Sequence, residues 1–600
     1  MKQYEAMIEA GEAEALSRCL ITGMLSQKSE MEKAGLLWHA VRLGKTGMVR
    51  VLTERCHGLR LDADEKGNTL LHAAVQSGNT ETAEFVAEVL GFSPFTGNSD
   101  GISPLQLSAT VSDAMQTCME RLAGMSLADT YRNPVLRGWH PDPSVLRVGD
   151  DYYLINSSFV MMPALPISHS KDLVHWETIG HVFEDPVTAQ IEGLPGGFGY
   201  WAPDLSCYDG RFYVVATLRR NKYPFRLQML TWASAPEGPW AKPVFLSVDG
   251  IDPSLFTDDD GRRYLVLNPG VQIAEITKDG QLLEEPRMIY YGSRRYKSEG
   301  PHLFKRDGYY YILEAEGGTG QGHMVTVARS ENLRGPYTPC PMNPVLGTTQ
   351  QDAYIRRSGH GKLVGLPDGR CAMMYLCGRS VEGKTLMGRE TGLDPVTFID
   401  GWPVVNNLQG PSCIQKKLLP DWACEERPAW YCPRQNVHDF ADFSDGILLQ
   451  CGKDPSETAD SHLLLHRQQE TGISQQVTVK PSMGAYAGLC AYYDENSFIL
   501  YGIKKDASGA SLILTVQEGL NRTETVIADG IGDEVTLSAE GKGLKRSFIC
   551  NGKTVTADIT CLTDEGLHLG KRFTGAMLGL FAAGNGSACM RDYREEQWNE

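Results

Sequence analysis

The chain contains no apolar run near the ~18 residues that a membrane-spanning helix needs, so no transmembrane segment is expected. It also lacks an excess of base. Lys and Arg number 57 against 74 Asp and Glu, a net charge of −17, which leaves no positive field to hold nucleic acid or anionic lipid. Its 15 cysteines form no CxxC pair and show no metal-ligand spacing with histidine. That excludes a zinc-ribbon reading and favours free thiols in a reducing compartment. The opening "MKQYEAMIEAGEAEALSRCL" has neither a basic start with an apolar core nor a cleavage site, so a cytoplasmic protein is expected. What is present instead is turn chemistry and rings: 63 Gly, 31 Pro and 9% aromatics in 600 residues. This composition leans towards β-structure, and the length is too great for one core.

Three zones follow one another. In residues 1–128, stretches starting at Gly35, Gly67 and Gly101 recur at the ~33-residue spacing of a helix-pair repeat. "GNTLLHAAVQSGNTETAEFV" resembles the ankyrin pattern, with Leu71 and His72 in its T-P-L-H position, where the histidine braces a turn rather than doing chemistry. Such repeats present a partner-binding face, so a protein partner or homo-oligomer through 1–128 is an expectation. Residues 426–600 hold short strands with turns at roughly ten-residue intervals, the pattern of an antiparallel sandwich.

Residues 129–425 carry the most information. Five segments share a small or acidic lead-in, an apolar pair, a Gly/Asp turn and an aromatic-rich strand: "DPSVLRVGDDYYLINSS", "APDLSCYDGRFYVVATL", "DPSLFTDDDGRRYLVLN", "GPHLFKRDGYYYILEAE" and "HGKLVGLPDGRCAMMYL". Aligned on Val145, Leu205, Leu255, Leu303 and Leu363, they recur every 48 to 60 residues. That period, with room for four strands, predicts a five-bladed propeller. The fold class expected is therefore multidomain: helical ankyrin-like repeats, an all-β five-bladed propeller and a β-sandwich.

The alignment places Asp142, Ala202, Asp252 and His360 at one position of the innermost strands, with Glu299 one residue upstream of it in blade four. Equivalent ends of innermost strands meet on the propeller axis. Three carboxylates and a histidine gathered there raise at least one pKa, which marks functional sites. Asp142 lies between two prolines, which are expected to hold it rigidly in extended geometry. Inverting glycoside hydrolysis needs such a set. One carboxylate activates water, one carboxylic acid protonates the leaving oxygen, and roughly 6.5–9.5 Å separates them.

These motifs, with "ISHSKDLVHWETIGH", "MGRETGLDPVTFIDGWPVVN", "YAGLCAYYDENSFILYGIKK" and "RFTGAMLGLFAAGNG", resemble glycoside hydrolase family 43 over about residues 131–600. This is a family of β-xylosidases and α-L-arabinofuranosidases. The resemblance implies a general base at Asp142, a general acid at Glu299 and a carboxylate at Asp252 that tunes the acid. It further implies sugar binding by Arg389, His360, Trp201 and Phe159, with Phe573 of the sandwich closing the pocket. No cofactor is required, although in some members the axial histidine, here His360, helps hold a calcium. Where many family members have an aromatic-rich segment, this chain reads "FVMMPA" from Phe159 to Ala164, so a softer pocket lip is expected. The substrates implied are short oligosaccharides or substituted glycosides ending in xylose or L-arabinofuranose.

Plainer readings stand beside these. A lone Asp-Pro-Ser is an ordinary turn, and Trp201 and Phe573 also suit core packing. Asp204 suits a strand-ordering role, and Asp258–Asp260 a solvated hairpin. A catalytically silent sugar-binding protein or scaffold acting through the helical zone is the alternative function. A retaining enzyme of the fructan-hydrolysing type would want N-D-P-N where "HPDPS" stands.

Overall fold

The computed structural model describes residues 2–21, 28–56, 63–293, 297–348, 353–425, 429–567, 569 and 572–598. The chain divides into two compact units, one mainly helical and one entirely built around β-sheets.

The helical unit comprises residues 1–133 with the short segments 350–355 and 412–417. Its helices are short: Lys2–Ala10, Ala13–Ile21, Glu30–Arg42, Thr46–Arg55, Leu70–Gln76, Thr80–Glu84 (running into a π-turn, Phe85–Val89), Pro104–Ser108 and Asp113–Ala123. Capping boxes at Ser29/Glu32 and Ser103/Gln106 start two of them by satisfying their first amide groups. Buried Leu37, Leu52, Leu71, Val75, Val86 and Leu105 form their common core. The Nδ1 atom of His72 accepts from the Thr69 amide at 3.0 Å, and its other ring nitrogen meets the Ile102 carbonyl at 2.8 Å. It is a bracing residue. The expected ankyrin-like repeats are thus met in the fold only as short helices, and part of the first repeat falls on residues outside those described.

In the second unit, five four-stranded antiparallel sheets follow in chain order. Their innermost strands are Ser144–Val148, Gly199–Tyr208, Ile251–Thr257, Glu299–Arg306 and Ile355–Gly365, one for each sequence copy. The blades are therefore five, and each repeat supplies one whole blade. In the fourth, Leu346–Gly347 adds a further pairing on Met324–Ser330.

The sandwich stacks a seven-stranded sheet on a six-stranded one, all antiparallel. Val477, Leu537, Leu489, Tyr501 and Phe581 fill the space between, the alternate inward residues of their strands. Two contacts lock the sandwich to the propeller. The pair Met161–Met162 bridges to Cys432–Pro433. Arg379, 1% exposed, donates to Glu390 of its own blade at 2.8 Å and to Glu470 of the sandwich at 2.8 Å. The methionines of "FVMMPA" are consequently 2% and 0% exposed. They belong to the core and not to a pocket lip, so the expected softer rim is not found: pairing with the sandwich turns them inward.

Candidate active site

The axial residues share an unusual backbone. Asp142, Ala202, Asp252, Gly300 and His360 have φ of 52°, 28°, 53°, 57° and 47°, the left-handed region that side chains avoid. In blades two, three and four the ladder slips there, between Trp201/Asp204, Ile251/Ser254 and Glu299/His302. These are β-bulges, which re-aim a side chain at the end of a strand. The extended geometry expected of Asp142 before its proline is therefore replaced by a left-handed one. Blade four also explains its own irregularity. A Cβ on Gly300 would lie 2.8 Å from the His360 ring, so glycine takes the left-handed position and the acid stands one residue earlier, at Glu299.

A cavity of about 290 Å³ opens over these bulges. All eight predicted site residues line it: Asp142, Asp252, Glu299, His360, Arg389, Trp201, Phe159 and Phe573. Lys297, Ile251, Gly318 and Thr319 line it as well, and no motif reading had singled them out. A larger cavity of about 440 Å³, bordered by Trp176, Tyr431, His466 and Arg467, holds none of the eight.

Asp142 is 5% exposed. Its Oδ1 accepts from Arg389 Nη1 at 3.1 Å and its Oδ2 from the Ser157 hydroxyl at 2.6 Å. Burial pushes its pKa up, but the Arg389 charge, His360 and the Ser157 hydroxyl outweigh burial and hold it below the usual carboxylate value. Ser157 was missed in the sequence because "NSS" reads as loop polarity. Its oxygen also accepts the Ala202 amide at 2.7 Å, tying Asp142 to blade two.

Asp252 has the opposite fate. Burial first, then the charges of Glu299 and Asp142, raise it to about 7, against the pull of His360 and an amide bond from Gly300 at 3.0 Å. Glu299 lies 3.7 Å from Nδ1 of His323. That imidazole is fully enclosed, and burial drives it down to about 3, so it is a neutral neighbour of Glu299. His323 lies 24 residues after Glu299, just before the strand Met324–Ser330, and no spacing signal marks it.

The remaining residues form walls. The rings of Phe159 and Phe573 are 6.1 Å apart, and Trp201 meets Phe573 edge-on at 5.7 Å. The Arg389 guanidinium sits over both phenylalanines and donates to the Phe573 carbonyl at 3.1 Å. A residue of the sandwich thus fixes the arginine that pairs with Asp142. The Trp201 indole is held by the Gly197 carbonyl at 2.9 Å, so it serves both packing and wall.

Calcium takes oxygen ligands. Around His360 stand the imidazole of His302 with ring centres 6.4 Å apart and, at 3.8 Å, the Asp142 carboxylate already engaged by Arg389. These groups do not fit a calcium ion.

The comparisons agree with this geometry. Residues 131–403 match the model of glycosyl hydrolases family 43, and residues 416–592 that of the beta xylosidase C-terminal concanavalin A-like domain. Neither match reaches the helical unit's first 130 residues. A non-reducing end alpha-L-arabinofuranosidase of Bacteroides ovatus is 34% identical, covering 78% of this chain and 94% of its own. A xylan 1,3-beta-xylosidase of a Vibrio species is 30% identical, covering 76% and 96%. A crystal structure of a family 43 protein from Bacillus licheniformis superposes with a TM-score of 0.73 at 37% identity, over 78% of this chain and 100% of its own. The chain belongs to glycosyl hydrolase family 43 and is a glycosidase with that family's concanavalin-like C-terminal domain.

Proposed function

We propose that this chain is an inverting, exo-acting glycosidase that releases terminal xylose or L-arabinofuranose from short oligosaccharides or substituted glycosides. The observation that carries the reading is the opposite tuning of two aspartates at equivalent left-handed positions of their blades. Asp142 is held ionised by Arg389 and Ser157, as a base must be. Burial, and after it the charges of Glu299 and Asp142, raise Asp252 to about 7, so in this reading the Asp252–Glu299 pair shares a proton near neutrality. In this reading Glu299 delivers that proton to the leaving oxygen while Asp142 takes one from the attacking water, whose oxygen forms the new bond to the anomeric carbon as the glycosidic bond breaks. Asp252 keeps Glu299 protonated by like-charge repulsion.

Arg389 and His360 would bind the glycone hydroxyls, with Phe159, Trp201 and Phe573 as its apolar walls. A walled cavity of about 290 Å³ suits one or two sugar rings at a chain end. The named relatives, a xylosidase and an arabinofuranosidase, bracket the sugar class. In this reading residues 129–425 are the catalytic propeller and 426–600 the accessory sandwich. Residues 1–128 form an ankyrin-like partner or self-association surface, supported by the repeat spacing and the bracing His72, and the protein works in the cytoplasm on small imported glycosides. Release of nitrophenol from nitrophenyl β-xyloside and α-L-arabinofuranoside by wild type and Asp142→Ala tests the assignment. Equal rates from both proteins would refute it.

A further inference from the structure

The sandwich reaches the cavity lined by Asp142, Asp252 and Glu299 by a second route besides Phe573. Between its strands Ala485–Asp494 and Ser497–Asp506 lies a tight turn, Glu495 and Asn496. Glu495 is buried, and its carboxylate accepts the Gly196 amide of the propeller with both oxygens, at 2.8 and 3.1 Å. Its Oε2 also lies 3.5 Å from Nη1 of Arg434, and that nitrogen donates to the Leu194 carbonyl at 2.9 Å. The approach is close. A Cβ on Gly196 would stand 2.8 Å from Cβ of Asp494 and 2.9 Å from Oε2 of Glu495.

The segment held in this way leads directly into the cavity wall. Residues 193–199 read "GLPGGFG", and Gly193, Gly197 and Gly199 have φ of 64°, 73° and 85°. Glycine loses more conformational freedom on ordering than any other residue. A segment so rich in it keeps one conformation only where contacts from outside impose one. The Gly197 carbonyl, next along the chain from the clasped amide, accepts the Trp201 indole N–H at 2.9 Å, and Trp201 lines the cavity. Two hydrogen bonds and two glycines therefore connect Glu495 to the indole.

The end of the preceding strand grips the other aromatic wall. The Tyr493 carbonyl accepts from the Thr574 hydroxyl at 3.2 Å, and the Asp494 carboxylate stands 3.5 Å from the Arg572 guanidinium. These contacts flank Phe573, the ring that meets Trp201 edge-on. A carboxylate placed only to pair with Arg434 would have no need of a loop amide. At Glu495 the shorter contacts are those to Gly196, and a hydrogen bond to an ionised carboxylate is among the stronger kinds.

We propose that Glu495 is a positioning residue for the sugar pocket. From the sandwich it fixes the glycine segment that sets the Trp201 indole against the terminal sugar, and so tunes how tightly that sugar is held. It acts through Gly196, Gly197 and Trp201 and touches no reacting atom. The inference rests on the reading of this cavity as the site of the glycone.

The test uses full-length protein. Glu495→Ala removes the acceptor. KM for whichever nitrophenyl glycoside the wild type hydrolyses, β-xyloside or α-L-arabinofuranoside, should rise roughly 3- to 10-fold, about the net worth of one hydrogen bond. The value of kcat should change less than about twofold, with an unmoved pH profile. Amide hydrogens of residues 193–199 should exchange faster. Glu495→Gln retains an acceptor for the amide and should keep KM within about twofold of wild type. If the alanine variant does not fold, Glu495→Asp carries the same expectation, since it keeps the charge beside Arg434 but is one methylene short of the loop. An unchanged KM in the alanine or aspartate variant would overturn the proposal, as would an equal rise in the glutamine variant. A lowered unfolding temperature with unchanged exchange in 193–199 would also overturn it, in favour of a merely structural role. Failure of the wild type to hydrolyse either glycoside would defeat the functional reading instead, and exchange in this segment would then decide alone whether Glu495 holds the wall.

Discussion

The propeller axis carries buried carboxylates at two levels, and they are treated in opposite ways. At the deeper level Asp204, 1% exposed, accepts from Ser144 of blade one at 2.8 Å, from the Leu255 amide of blade three at 3.0 Å and from Lys362 of blade five at 2.5 Å. His302 of blade four stands 3.7 Å away. Both oxygens are hydrogen-bonded, and burial is outweighed by the Lys362 charge so that the pKa falls. Asp204 bonds four of the five blades together, with His302 of the remaining one beside it. Around the cavity, Asp142 is paired with Arg389 and lies 3.8 Å from His360, whereas Asp252 is raised to about 7 by burial and by the neighbouring carboxylates. A carboxylate paired with a cation holds the fold at one place; a carboxyl group with a raised pKa keeps a proton available at the other.

This contrast can be broken from either side. Asp142→Ala or Glu299→Ala should lower kcat by roughly 10²–10⁴-fold while the unfolding temperature barely moves, as activity assays and thermal melts would show. Lys362→Ala should do the reverse. Leaving Asp204 buried without its cation costs about 3 kcal/mol or more, visible as a lower denaturation midpoint, with the pH profile of the remaining activity unchanged. Arg389→Ala removes the charge that holds Asp142 down, so the acidic limb of kcat/KM should move to higher pH and KM should rise. The smallest effect is expected from Asp252→Asn. In wild type the alkaline limb should fall near pH 7, where the shared proton is lost. Removing one negative neighbour lets Glu299 ionise sooner, so that limb should move to lower pH. An unmoved limb would show that Asp252 does not tune the acid.

Much of this was legible before any coordinates. The blades were readable because each copy repeats lead-in, apolar pair and turn, and the fold must spend one copy per blade. The axial set was readable because closure of the ring carries equivalent strand ends to one place. What the residues did not disclose was conformational. The left-handed φ at Asp142 and Asp252 contradicts the usual influence of a following proline, and at Asp252 it accompanies a bulge that only the sheet register displays. Lys297 and Thr319 are brought to the cavity, and Ser157 and His323 to Asp142 and Glu299, by connections between strands, which carry no periodicity. Met161 and Met162 looked like a rim only because their partner, Cys432–Pro433, lies some 270 residues away in sequence. The helices of the first 128 residues were expected from period alone. Their length is set by local caps and tertiary packing that a period does not encode.

The central claim is that water, activated by Asp142, attacks from the side opposite the proton delivered by Glu299. Proton NMR of the first sugar released from nitrophenyl β-xyloside, recorded before mutarotation, tests this directly. The account predicts α-xylose as the initial product; initial β-xylose would contradict it.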